Sequence, residues 1–193
     1  TIKIPSAAQF DCITARDQLH TLRSCYTFED EDCDADGVLH ATFKGDPFFG
    51  GNWLIGGNLD GFKKDSATAS LDVIDVTDFG MFVADYPNDY GTGDTPCGTE
   101  GPHADINGDG LVDLFDFTFV SINYLESSKD CCCPGSTASK VVRTSIPVRT
   151  LILAGETEMA KADLNHDGVL DSKDITLFLN GQTPVKVQTR TSR

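Results

Sequence analysis

The chain of 193 residues is acidic, with 30 Asp and Glu against 15 Lys and Arg and a net charge of −15. This charge disfavours nucleic acids and anionic membrane surfaces as partners, because both are negatively charged themselves. No apolar run approaches the roughly 20 residues that a membrane-spanning helix needs. The chain starts at Thr1 and shows no signal-peptide pattern, so we expect a mature, processed product.

Residues 1–57 carry few helix signals and are predicted to be β-rich. We expect strands at Thr1–Pro5 and Val38–Lys44, then Gly- and Pro-rich turns and a short strand at Trp53–Ile55. Core packing is the favoured role of Trp53, and stacking on a sugar is the alternative. Asp32–Gly37 opens like a calcium loop but lacks a closing acid, so an acidic turn beside a disulfide is favoured there.

The seven cysteines favour disulfides in an oxidising, extracellular setting over a zinc site, because no C-x-x-C pair is present. The odd number leaves one thiol free, capped or bonded to another chain. The pairing does not follow from the sequence. We favour a bond from Cys97 to one of Cys131–Cys133, and a second bond between two of Cys12, Cys25 and Cys33.

Three segments repeat one pattern: an acid, two spacers, a second acid and a helix-like stretch. After the second acid, apolar residues recur at the spacing that places them on one face of a helix. These residues are Phe79, Phe82, Val83 and Tyr86 in the first segment, Phe117, Val120 and Tyr124 in the second, and Ile175, Phe178 and Leu179 in the third. Each repeat is therefore predicted to be a loop followed by a helix.

Residues 58–78, which we term loop A, show an EF-hand-like calcium loop interrupted by an insertion. Its opening matches positions 1 to 4 of such a loop, its end matches positions 7 to 12, and Phe62–Leu71 lies between them. The predicted ligands are Asn58, Asp60, Val73, Asp75 and Asp78. The alternative is a decayed loop whose helix remains as packing material.

Asp105–Asp116, loop B, follows the EF-hand calcium loop position by position. Calcium takes about six to eight oxygen ligands, and Gly110 at position 6 allows the loop to turn around it. Val112 at position 8 is expected to pack paired loops together. The predicted ligands are Asp105, Asn107 and Asp109 at positions 1, 3 and 5, the carbonyl of Leu111 at position 7, Asp113 through a water, and Asp116 at position 12.

Asp163–Asp174, loop C, repeats these roles, and Pro147–Ala162 before it is a candidate helix. The predicted ligands of loop C are Asp163, Asn165, Asp167, the carbonyl of Val169, Asp171 and Asp174. Val185–Ser192 favours a strand or a loose tail. The predicted fold class is α+β, with a β-rich part at 1–57, a repeat pair at 58–133, a connector and helix at 134–162, a third loop and helix at 163–181, and a tail at 182–193.

Loops that end in Asp rather than Glu, each followed by one helix, resemble the dockerin type I repeat, a variant of the EF-hand. The runs His103–Asp113 and Ala162–Asp171 are similar to dockerin-like segments in secreted proteins of planctomycete-type bacteria. The resemblance implies an extracellular, Ca²⁺-folded module that docks onto a cohesin partner. Dockerins that recognise a partner often carry Ser-Thr at loop positions 10 and 11, where this chain has Val76-Thr77, Leu114-Phe115 and Ser172-Lys173.

No zinc-protease motif, catalytic Ser/His/Asp grouping or phosphate-binding loop is present, so we predict that the protein is not an enzyme. The favoured hypothesis is a secreted or cell-surface, calcium-stabilised structural or adhesive protein whose terminal strands pair between subunits in a fibre or layer. The alternatives are a dockerin-like module that binds a cohesin-type partner, and a carbohydrate-binding protein.

Overall fold

The computed structural model describes residues 11–17, 19–29, 38–43, 54–60, 73–91, 103–128 and 142–184, which form a mixed α+β fold of short elements. The strands are β1 (Cys12–Ala15), β2 (Ser24–Thr27), β3 (Ser145–Pro147) and β4 (Val169–Asp171). The helices are α1 (Val76–Asp85), α2 (Leu114–Ile122), α3 (Val148–Leu153), a 3₁₀ helix at Met159–Ala162 and α4 (Ser172–Leu179). Across these ranges, every helix is too short or too polar to span a membrane.

The named strands form two separate antiparallel ribbons. β1 pairs with β2, and Cys12 lies opposite Thr27. β3 pairs with β4, which places Ile146 opposite Leu170 of loop C. The predicted β-rich N-terminal part is thus represented, among the described residues, by the single β1–β2 ribbon.

Two strand predictions in this part are wrong where the structure describes them. Residues 38–43 form no strand, and only Leu39 makes an isolated bridge. Leu54 and Ile55 also lie outside any strand, although the next residue, Gly56, bridges Thr21. β-branched and aromatic residues favour a strand only where a partner backbone is aligned with them. The predictions at Thr1–Pro5, Asp32–Gly37, Trp53 and Val185–Ser192 fall outside the described residues.

All three predicted repeat helices are present, and each begins directly after an acid of its loop. Asp75, Asp113 and Asp171 are the N-caps of α1, α2 and α4, and each forms a capping box with the acid three residues later. In such a box each side chain accepts a backbone N–H of the first turn, which the helix itself leaves unpaired. Two acids of every loop therefore also start a helix.

The single helix predicted over Pro147–Ala162 is wrong, because the chain turns in its middle. α3 begins after Pro147 as expected, but it ends at Leu153. Gly155 follows with a φ of 84°, in the left-handed region that side-chain-bearing residues rarely adopt. The chain then resumes as the separate 3₁₀ helix.

The described core is one cluster that unites the three repeats. Phe178 of α4 lies among the aromatic rings of the other two repeat helices, with its ring centroid 5.9 Å from that of Phe79, 5.6 Å from Phe82 and 4.9 Å from Phe117. Leu179, predicted on the same apolar face, instead has 62% of its surface exposed. The repeats therefore stabilise one another through a shared aromatic centre.

Replacing Phe178 with Ala should lower the free energy of unfolding by about 3–5 kcal/mol, because the change removes a buried ring and leaves a cavity. Urea denaturation in the presence of calcium measures this loss. Leu179→Ala is the matched control on the same helix, and we expect its effect to stay within about 0.5 kcal/mol. Equal losses for both variants would contradict the shared core.

Candidate metal centres

Loops B and C are each closed by a buried acid at position 12. Asp116 and Asp174 are fully buried. The Oδ1 of Asp116 accepts the backbone N–H groups of Ile106 and Asn107 at 2.7 and 3.0 Å, and its Oδ2 accepts that of Asp113 at 3.0 Å. These bonds tie positions 2 and 3 of the loop to position 9, so the loop is drawn into a ring.

Asp174 makes the equivalent set of bonds in loop C. Its Oδ1 accepts the N–H groups of Leu164 and Asn165 at 2.9 and 3.3 Å, and its Oδ2 accepts that of Asp171 at 2.9 Å. The match in atoms and positions shows that the two loops share one backbone conformation.

The acid at position 1 points into its own loop. Asp105 accepts the N–H groups of Gly108 and Asp109 at Oδ1 and that of Gly110 at Oδ2, at 2.9 to 3.1 Å. In loop C, Asp163 accepts those of Asp167 and Gly168. A carboxylate offers about four lone-pair sites, so these bonds leave capacity for a cation.

Positions 3 and 5 continue the inward pattern. The Oδ1 of Asn107 accepts the N–H of Asp109 at 2.8 Å, and the Oδ1 of Asp109 accepts that of Leu111 at 2.9 Å. Asn165 and Asp167 make the same two bonds in loop C. The oxygens predicted to bind calcium are thus held in place by the loop backbone.

Tight turning of the loops needs left-handed residues at two places, of which the sequence analysis identified one. Gly110 and Gly168 at position 6 have φ values of 92° and 85°. Position 4 is left-handed as well, with Gly108 at 76° and His166 at 58°. In loop B, the glycine at position 4 was a sequence signal for this left-handed turn. In loop C, the histidine at the same position gave no such signal.

The middle of every loop is fixed by a backbone bridge at position 7. Val73 of loop A bridges Ser127, Leu111 of loop B bridges Asp89, and Val169 of loop C pairs with Pro147. The position 8 residues that follow, Ile74, Val112 and Leu170, are buried. All three belong to one core cluster, while the backbone bridges at position 7 reach residues outside the loops.

The segment that bridges loop A follows the helix of loop B, and the segment that bridges loop B follows the helix of loop A. The chain after α1 binds loop B, with the N–H of Tyr90 donating to Gly110 at 2.8 Å and that of Val112 donating to Asn88 at 2.9 Å. The chain after α2 binds loop A, with the N–H of Leu125 donating to Ile74 at 2.8 Å. Each of these two loops is therefore held by the segment that follows the helix of the other.

The electrostatics of the loops suit a cation. Burial raises the pKa of Asp116, while the N–H groups of Asp113, Asn107 and Ile106 act in the opposite direction. Burial, followed by repulsion from Asp60, raises the pKa of Asp78 well above its ordinary value. A divalent cation would offset both penalties, since it stabilises the ionised carboxylates.

Loop C contains its own cation. The Nζ of Lys173 lies 3.2 Å from Asp167 Oδ2 and 3.3 Å from Asp171 Oδ2, at positions 5 and 9. The hydrogen bond from Lys173 lowers the pKa of Asp167, and the bond to Asp167 raises the pKa of Lys173. Loop B carries Phe115 at the equivalent position, so its acids have no such lysine within the loop.

The donor chemistry fits calcium. The described residues hold no preformed group of three or more His, Cys, Asp or Glu side chains converged on a metal position. Calcium loops do not rely on such a group alone, because amide and main-chain oxygens supply part of the shell. The inward side-chain oxygens of Asp and Asn, together with the carbonyl predicted at position 7, form an all-oxygen set, which is typical of a hard cation.

Comparison with known protein families agrees with this geometry. Residues 103–180 match the dockerin type I domain family. These residues form a dockerin type I domain. The domain runs from the start of loop B to the last turn of α4 and so contains both uninterrupted loops. No curated protein and no solved structure matches the chain.

The dockerin domain packs on a part of the chain that precedes it. α1 lies before residue 103, yet Gly80 on this helix is so close to the domain that an added Cβ would lie 3.0 Å from Leu170 and from Met159. Phe79 and Phe82 of α1 also contact Phe178 of the domain. Loop A and its helix are therefore part of the same packed unit.

Asp116→Ala should remove one bound calcium ion and destabilise the dockerin domain, because three backbone N–H groups lose their acceptor. We expect the free energy of unfolding in calcium to fall by about 3 kcal/mol or more. Calorimetric titration and thermal unfolding measure the two effects. Glu158→Gln, an exposed acid outside the loops, is the control, and unchanged calcium binding by Asp116→Ala would refute the assignment.

Lys173→Gln should tighten calcium binding at loop C, because it removes a positive charge that bonds two of the predicted ligands. Lys161→Gln removes a lysine that pairs with Glu158 outside the loops, and it should leave the affinity unchanged. Titration of both variants against the native protein at low ionic strength gives the comparison. Weaker binding by Lys173→Gln would show that the lysine supports the loop rather than competing with the ion.

Proposed function

We propose that this protein is an extracellular, calcium-stabilised, non-catalytic docking module that binds a cohesin-type protein partner through an exposed apolar surface on α2. The single observation that carries the proposal is this surface, in the domain whose family is known for docking. It comprises Leu114, Phe115, Phe119 and Ile122 of the helix, with Leu111 before it and Leu125 after it, and we term it the α2 surface.

Calcium in loops B and C is the first part of the proposal. The ligands are Asp105, Asn107, Asp109, Leu111, Asp113 and Asp116 in loop B, and Asp163, Asn165, Asp167, Val169, Asp171 and Asp174 in loop C. Asp113 and Asp171 are also helix N-caps. Because the same acids shape the loop and start the helix, calcium binding contributes directly to folding.

The α2 surface stands out by its extent. Phe115 is 70% exposed, Ile122 is 79% exposed and Leu114 is 59% exposed. Single exposed apolar residues are ordinary on protein surfaces, whereas several on one helix face mark an interaction site. Large aromatic and aliphatic residues of this kind supply the central contacts of protein interfaces.

Comparison with the equivalent positions in the other two repeats supports α2 as the proposed docking helix. Positions 10 and 11 of loop A, Val76 and Thr77, are buried beneath neighbouring elements. Those of loop C, Ser172 and Lys173, are exposed and polar. Only loop B, among these three, presents apolar side chains to solvent there. In dockerins this is the region that reads the partner, so Leu114 and Phe115 specify an apolar partner surface.

The acidic charge of the chain favours a partner with basic groups. With a net charge of −15, the module favours a partner whose apolar contact area is bordered by basic groups. The α2 surface itself adjoins the acids Asp113 and Glu126. Complementary charge would speed association and orient the two proteins, while the apolar contacts would hold them together.

An oxidising, extracellular environment is the second part of the proposal. Support comes from Cys12 on β1 and Cys25 on β2, each of which is assigned to a disulfide bond. The bond proposed from Cys97 to Cys131–Cys133 involves residues outside the described ranges. Disulfides of this kind persist in secreted and cell-surface proteins.

We favour docking over the other functions that the sequence suggested. The fibre or adhesive layer depended on strands at Thr1–Pro5 and Val185–Ser192, and sugar binding depended on Trp53. All three lie outside the described residues. The apolar α2 surface would also serve self-association, which is therefore an outcome that the binding experiment must distinguish.

Phe115→Ser should weaken binding to an immobilised cohesin panel by about 30-fold or more, which corresponds to the roughly 2 kcal/mol of a central interface residue. Surface plasmon resonance in calcium measures this loss. Leu179→Ser changes an equally exposed apolar residue of α4 and should leave binding intact. Asp116→Ala combined with Asp174→Ala should abolish binding through loss of calcium.

Analytical ultracentrifugation of the same variants separates docking from self-association. The native protein should stay monomeric at the concentrations used for binding. Failure to bind any cohesin, together with oligomers that disappear in Phe115→Ser, would overturn the docking proposal and assign the α2 surface to contacts between copies of this chain.

A further inference from the structure

We propose that loop A, which precedes the dockerin domain, holds a third calcium ion on Asn58, Asp60, Asp75, Asp78 and the carbonyl of Val73. The inference rests on the proposed binding of calcium in loops B and C. It adds a site that the family match over residues 103–180 does not include. All five residues lie in the described ranges, and the site uses no residue of the insertion.

The closing acid of loop A makes the same bonds as those of loops B and C. Asp78 is fully buried. Its Oδ1 accepts the N–H groups of Leu59 and Asp60 at 2.7 and 3.1 Å, and its Oδ2 accepts that of Asp75 at 2.7 Å. These donors stand at positions 2, 3 and 9, as they do around Asp116. The insertion has therefore left the ends of the loop in the calcium-loop arrangement.

A second observation points to a ligand inside this loop. Asn58 at position 1 is fully buried, and its Nδ2 donates to the carbonyl of Thr21 at 3.4 Å. Its Oδ1 has no hydrogen-bond partner among the described residues. A buried amide oxygen left without a partner is costly, and calcium is a cation that amide oxygens bind well. In loops B and C the position 1 oxygens face the loop interior, which is where Asn58 would meet the ion.

The carboxylates of loop A also favour a cation. Asp60 lies beside Asp78, because its N–H donates to Asp78 Oδ1 at 3.1 Å, and Asp78 is fully buried. A divalent ion beside these acids would supply positive charge in a poorly solvated environment. Three carboxylates, one amide and one carbonyl give an all-oxygen donor set, which suits calcium better than a transition metal.

The third ion would support the docking helix. Three residues after α2, the N–H of Leu125 donates to the carbonyl of Ile74 in loop A, and the Nδ2 of Asn123 donates to the carbonyl of Gly56 at 2.9 Å. At Gly57 an added Cβ would lie 2.9 Å from the carbonyl oxygen of Phe119, so the chain leading into loop A lies against α2. An ion that fixes loop A thereby fixes the C-terminal half of the α2 surface.

Counting bound ions tests the inference. Equilibrium dialysis of the full chain against calcium, followed by elemental analysis, should give three ions per chain. Asp60→Asn keeps the size of the side chain but removes its charge, and it should reduce the number to two. Asn58→Asp restores the acid found at position 1 of loops B and C, and it should tighten the third site by about tenfold. Glu158→Gln should leave all three ions in place.

The number of bound ions also separates the third site from the sites proposed in loops B and C. Two ions in both the native protein and Asp60→Asn would overturn the third site and leave loops B and C as proposed. No bound ion in the native protein would overturn the calcium part of the proposed function as well. Circular dichroism of Asp60→Asn should match that of the native protein in calcium, which confirms that a lost ion does not reflect a lost fold.

Discussion

The acid at position 12 of each loop is the constraint on which the rest of the structure depends. Asp78, Asp116 and Asp174 are all buried, and each accepts three backbone N–H groups that come from both ends of its loop. Each is also the third residue of the helix that follows, where a carboxylate is favoured by the helix dipole. One side chain thus closes the loop, completes a capping box and directs the helix into the core.

Under the proposed function, this arrangement links metal binding, folding and docking. A buried carboxylate is costly unless hydrogen bonds or a cation compensate its charge. Calcium would supply that compensation at the point where the helix begins, so the position of α2 depends on the state of loop B. The proposed docking surface lies on a helix that begins in loop B and is followed by a segment bonded to loop A.

The dockerin domain is embedded in a larger unit. α1 precedes it in sequence, yet Phe79 and Phe82 on this helix contact Phe178 in the centre of the domain. The start of α1 is buried, whereas the start of α4 is exposed and polar, so the proposed docking function falls to α2. The sharing of one core among three similar repeats leaves each helix with a different environment, which is how repeats of one pattern acquire different roles.

The sequence by itself determined the local features. The spacing of Asp, Asn and Gly predicted loops B and C, and the acid pairs predicted the helices that follow them, because these features depend on residues within a dozen positions of one another. The strand predicted at Val38–Lys44 does not form over the described residues 38–43, because a strand needs an aligned partner. The long helix predicted over Pro147–Ala162 was wrong, because the chain turns at the left-handed Gly155. The exposure of Leu179 was likewise not visible in its helical spacing.

Only the tertiary structure decided which of three similar helices faces solvent. Val76, Leu114 and Ser172 occupy the same place in their repeats, but the first is buried and the other two are exposed. The tertiary structure also brought Leu59 and Asp60 to the residues after the insertion, where their N–H groups donate to Asp78. Contacts between residues distant in the chain depend on how the helices pack, and the packing of a shared core is not encoded in the period of any single repeat.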